Sequence, residues 1–185
     1  MPKKKLKTIE QTHLKPDEWL KKFNYQLEMT DHLDQVQGDF DQNRINEIVL
    51  WKVNRFAAMC PKTLEEINRI SPETCSRDNE ITRDVLQSIL ETKGFKLPMA
   101  STVLRFRNPY IYQIIDQRVY RFIGLGTKLP NTTKIDAQIS IYLEYLDKLD
   151  EVCQAYNLPF SKADRILYMA DKEINKDVSL SGYGA

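Results

Sequence analysis

Between Ile135 and Tyr156 the apolar residues fall where one face of an α-helix needs them. Ile135, Ile139, Tyr142, Leu143, Leu146, Leu149, Val152, Cys153 and Tyr156 trace about six turns. A stripe that long has to be buried against other elements, and the rest of the chain offers mostly helix for the purpose. Six glycines in 185 residues supply few of the tight turns that many short strands require.

The remaining apolar runs carry helical period as well. Trp19, Leu20, Phe23 and Leu27 predict a helix over 17–29 that starts near Asp17, and Ile45, Ile48, Val49, Val53, Phe56 and Ala57 predict another, stopped by Pro61. Thr63 with Glu66 has capping-box spacing for a short helix. Ile81, Val85, Leu86 and Ile89 continue to Lys93 and Gly94, where a glycine can close a helix in the left-handed conformation. Pro98 opens a helix to Arg107. Asp116 is placed as the N-cap of one running through Val119, Tyr120 and Ile123 to the Gly124–Gly126 break. Ser161 with Asp164 caps the last, which reaches Ile174. The expectation is an all-α domain of about eight helices over 17–174, with a hairpin at 81–107, a flexible basic N-terminus over 1–16 and a frayed C-terminus over 175–185.

Composition removes several classes of protein. A chain with 42% hydrophobic and 29% charged residues and a mean hydropathy of −0.50 is neither a membrane protein nor an acidic disordered one. The four lysines of Met1–Lys7 precede no apolar core of a signal peptide, and a solvated terminus is the simpler reading of them than a nucleic-acid-binding arm. Cys60, Cys75 and Cys153 are odd in number and widely spaced, which argues against a disulfide framework or a structural zinc site and for a reducing cytoplasmic location. His13 and His32 have no ligand-like spacing, so no metal or other cofactor is expected.

The net charge of +1 hides an asymmetry. Lys93 to Lys128 holds seven basic residues (Lys93, Lys96, Arg105, Arg107, Arg118, Arg121, Lys128) against one acid, Asp116, a net of +6, while the rest of the chain carries −5. A local excess of this kind suits a polyanion such as DNA. Inside the segment, Gly94, Phe95, Lys96, Leu97, Pro98, Met99 and Ala100 have the order of a tight glycine turn between two helices.

On these residues the stretch Val85–Ile123 resembles the helix-hairpin-helix core of the DNA glycosylase superfamily that includes endonuclease III and the adenine glycosylase. The resemblance covers 39 of the 185 residues. It implies that backbone N–H groups of the hairpin and of the following helix start hold a phosphate of double-stranded DNA. Gly94, Phe95, Lys96, Arg105, Arg107, Arg118 and Arg121 would then form the DNA-binding set, with Asp116 as the catalytic carboxylate. Lys96 stands where the family usually has a second glycine, and Pro98 where its lyase-competent members carry a lysine nucleophile. The family's four-cysteine iron-sulfur loop is missing, Cys153 being the sole cysteine after Asp116. What the resemblance implies is a monofunctional glycosylase that hydrolyses the N-glycosidic bond of a damaged or mispaired base.

Each of these residues has a plainer role open to it. Asp116 can simply cap a helix, and Arg118 and Arg121 can pair with the acidic body of the chain. Trp51, flanked by Lys52 and Arg55, can stack on an extruded base or pack in a core, and packing is the commoner use of such a residue. A non-catalytic DNA-binding module and a helical protein-interaction domain are the competing functions.

Overall fold

A computed structural model of the chain describes residues 16, 20–23, 25–35, 37, 40–53 and 57–180. Expectations resting on Met1–Lys7, His13, Asp17, Trp19, Gly38, Arg55, Phe56 and the last five residues lie outside these. The described residues form eight α-helices and a short 3₁₀ turn, and no strand occurs among them: α1 (Leu27–Asp34), α2 (Gln42–Lys52), α3 (Pro61–Asn68), α4 (Asn79–Glu91), α5 (Leu97–Arg107), α6 (Gln117–Phe122), α7 (Ile135–Tyr156) and α8 (Ala163–Ile174), with the 3₁₀ turn at Phe160–Lys162. Contacts group the chain into two compact units, Met1–Ala58 and Met59–Ala185.

In the first unit α1 packs on α2. The continuous helix expected over 17–29 is interrupted: Leu20 is helical, residues 21–23, 25 and 26 are not, and α1 begins at Leu27. Trp51 is a packing residue here: its ring meets Tyr25 edge-on at 5.3 Å, and its indole N–H donates to Thr30 Oγ1 at 3.0 Å. Asp41 caps α2 by accepting from Arg44 N at 2.8 Å. Ile45 and Val49, on the apolar stripe of α2, stay exposed.

In the second unit α7 occupies the span its sequence pattern marks out, and α4 and α5 lie against it. Val85, Leu86, Ile89, Ala100, Leu104, Ile115, Val119, Tyr142, Tyr145, Leu146 and Leu149 close the core. Each large aliphatic side chain buried this way contributes about 1.5–3 kcal/mol. α3 packs on α4, and α6 on α8. Two caps differ from expectation. Thr63 lies within α3, where it bonds Cys60 Sγ and Ser88 Oγ, and α3 has no side-chain cap. The helix after Pro159 starts through the 3₁₀ turn, so Ser161 does not cap α8 and Asp164 sits in its first turn.

In the non-helical stretch between α5 and α6, Ile111, Tyr112, Gln113 and Ile115 are buried, and backbone groups of residues 113–115 are satisfied by side chains from neighbouring helices. Tyr142 and Tyr145 donate to the carbonyls of Gln113 (2.9 Å) and Ile114 (2.8 Å), and Ile115 N–H donates to Ser101 Oγ (3.2 Å). At its start the Asn108 side chain holds the carbonyls of Ser71 and Thr74. This clamped strand of coil delivers Asp116 to its place.

Candidate functional site

The hairpin turn forms as its sequence predicts. After α4, Thr92 N–H returns to Ile89 O (3.0 Å) and Phe95 N–H to Thr92 O (3.1 Å), with Gly94 between them at φ +90°. That conformation, rather than any shortage of space, selects glycine: an added Cβ would meet nothing within 4 Å. The next helix start is less open than a phosphate-binding role asks. Leu97 N–H donates to Gln138 Oε1 (3.2 Å), position 98 is proline, and Met99 N–H donates to Lys96 O (2.9 Å), so the first-turn donors of α5 are used internally.

Beside the turn lies a groove of about 490 Å³ lined by Phe95, Lys96, Pro98, Gln117, Lys128 and Gln138, among others, and by no carboxylate. Lys96 and Lys128 enter no ion pair among the described residues. Gln117 fixes the far wall, its amide donating to Thr127 O and its oxygen accepting from Leu129 N, both at 2.8 Å. Lys128 is thereby held between two anchored residues. Phe95 is half-buried against the core.

The arginines expected at a DNA surface are committed elsewhere. Arg107 Nε and Nη2 donate to Ile70 O (2.7 Å) and Asn68 O (3.2 Å), binding the carboxyl end of α3. Arg121 makes a forked pair with Asp171 (2.8 and 2.9 Å), Arg118 adds a third bond (3.2 Å), and Asn175 a fourth (2.8 Å). Arg121 also reaches the carbonyls of Val178 and Ser179. Asp171 is fully buried. Burial works to raise its pKa, but the hydrogen bonds from Arg121, Asn175 and Arg118 outweigh it and the carboxyl lies below its ordinary range. Arg105 is buried, with Nη2 on Ser161 O (3.3 Å). The physical reason for the difference from expectation is the guanidinium fork, which can satisfy several internal acceptors at once.

Asp116 caps α6 as expected, Oδ1 accepting from Arg118 N at 2.7 Å, while Oδ2 makes no hydrogen bond among the described residues. Half-buried, it borders a second recess of about 400 Å³ with Ile114, Val119, Asp164, Arg165, Tyr168 and Met169. The hairpin turn does not line this recess, so the neighbours Asp116 and Gln117 serve different concavities. Sequence reasoning assigned Asp164 to capping, counted Lys128 only as charge, and passed over Gln117, Tyr168 and Met169. None of these carries a local signal, because the recess is made where α8 meets the 114–119 segment.

No group of three or more His, Cys, Asp and Glu side chains that could hold a metal ion occurs among the described residues, and no helix there is long and apolar enough to cross a membrane. No family model matches the chain, and searches of curated proteins and of solved structures return no similar one.

Proposed function

We propose that the protein is a helix-hairpin-helix protein that binds double-stranded DNA through the hairpin groove and hydrolyses the N-glycosidic bond of a base extruded into the Asp116 recess. The observation that carries this reading is the pairing of two concavities of opposite chemistry on either side of residues 116 and 117. One has lysines and no carboxylate; the other has the carboxylates of Asp116 and Asp164 beside apolar Ile114, Val119 and Met169. Lys96 and Lys128 suit phosphate oxygens, and the amide edge at Gly94 and Lys96 adds to them. Tyr168 and Met169 supply flat or adaptable surface for a base.

Asp116 would act with the oxygen that its cap leaves unused. A carboxylate at that point stabilises the positive charge that develops on deoxyribose as the base departs. Pro98 offers no amine for a Schiff base, so the expected product is an abasic site without strand cleavage. A second reading, a DNA-binding module without catalysis, is favoured by the cap itself, which gives Asp116 a structural task.

The test is a panel of duplexes carrying oxidised, deaminated, alkylated or mispaired bases. Alkali-labile sites should appear with at least one of them, and Asp116→Asn should lower the rate by at least about 10²-fold. Binding without base release would establish the module, and no binding at low salt would eliminate both.

A further inference from the structure

Two buried carboxylates of α8 are treated very differently. Asp171 accepts four hydrogen bonds, from Arg118, Arg121 twice and Asn175. Asp164, with a side chain only 6% exposed, accepts one, from Arg165 N at 2.7 Å to Oδ1. Its cation is held off: Arg105 Nε stands 3.7 Å from Oδ2, beyond hydrogen-bond reach, and that nitrogen, in a side chain 9% exposed, has no hydrogen-bond partner among the described residues. A buried charge kept for stability alone is normally saturated. Asp164 is not, and it borders the same open recess as Asp116. Both carboxylates also act on one buried hydroxyl. Burial first, then the negative fields of Tyr142, Asp164 and Asp116, hold Tyr145 well above the ordinary tyrosine pKa, and its O–H donates to Ile114 O on the recess wall.

We propose that Asp164 is a second catalytic carboxylate of this site, the proton acceptor for the attacking water, with Arg105 as its positioning residue. The assignment rests on the reading of Asp116 given above. In the step, the water oxygen bonds to C1′ of the extruded nucleotide and a proton of that water passes to Asp164. The C1′–N bond breaks, its electron pair leaves on the base, and the base takes a proton from solvent. Asp116 meanwhile faces the positive charge on the sugar. Hydrolysis at an acetal-like carbon commonly divides these two tasks between two carboxylates.

The experiment compares wild type, Asp116→Asn, Asp164→Asn and Asp164→Glu in single-turnover base release from the duplex that the panel identifies, with duplex affinity and melting temperature measured on each. Asp164→Asn should lose about 10²-fold in rate and Asp164→Glu less, with affinity for undamaged duplex within about twofold of wild type, since the lysine groove is untouched. A residue that serves only the fold would shift melting temperature and leave the rate of the folded fraction unchanged. Should Asp164→Asn not fold, Asp164→Glu keeps the charge and decides by its rate. Rates of the folded variants equal to wild type, while Asp116→Asn is inactive, overturn the Asp164 assignment alone. A wild-type protein that releases no base from any duplex overturns the Asp116 reading and this one with it.

Discussion

The groove beside the hairpin and the junction of α6 with α8 both draw their cations from one basic segment, and they spend them in opposite ways. In the groove, Lys96 and Lys128 stand without an acid among the lining residues. At the junction, Arg118 and Arg121 converge on a single buried carboxylate, and Arg121 goes on to bind the carbonyls of Val178 and Ser179. The segment's net of +6 therefore overstates the field it presents outward. Lysine, a hydrated point charge on a flexible stem, gains little from being drawn inside, whereas the planar guanidinium can satisfy several acceptors with one side chain.

The largest expected effect falls at the junction. Asp171→Ala strands two guanidinium groups and should cost about 3–5 kcal/mol in urea unfolding. A cost below about 1 kcal/mol would mean that these arginines remain available to other partners. The same group gives a pH signature. Its pKa is depressed in the folded state, so its stabilisation is complete above the ordinary carboxylate range near about 3.9 and is lost as pH falls through the lower folded value. Asp171→Asn should remove that acid-limb dependence, measured as unfolding free energy against pH below about 4.

Arg107→Gln tests the same contrast at α3. Losing the two bonds to Ile70 O and Asn68 O should destabilise by about 2 kcal/mol, with duplex affinity unchanged. In the groove the outcomes reverse. Lys96→Glu and Lys128→Glu should each weaken duplex binding about tenfold, equally for all sequences, with a shallower salt dependence and stability within about 0.5 kcal/mol of wild type. A loss that depends on base sequence would place these lysines at base edges instead. Smallest is Gly94→Ala, expected to cost about 1 kcal/mol through backbone strain at φ +90°, since the space around it is open.

The elements that could be read from the chain are those whose evidence is local. The stripe of α7 repeats within its own turns, the Gly94 turn follows from one residue's conformational freedom, and the Asp116 cap spans two residues. Local rules also misread. Leu20, Phe23 and Leu27 have helical spacing, but residues 21–23, 25 and 26 break the helix between Leu20 and Leu27. Thr63 has the spacing of a capping box, but its hydroxyl turned to Cys60 and Ser88. The recess escaped notice because Asp164 and Tyr168 reach Asp116 only through the packing of α8 on α6.

Residue order alone thus determined the helical make-up of the described residues, the hairpin bend and the carboxylate at the start of α6, because period, turn chemistry and capping act over a few residues. Tertiary structure decided which charges stay available. Arg121 meets Asp171 across 50 residues, Arg107 meets Ile70 across 37, and Leu97 loses its amide to Gln138 across 41. A polar group takes whichever partner the fold brings within about 3 Å, and that choice is fixed by how the helices pack.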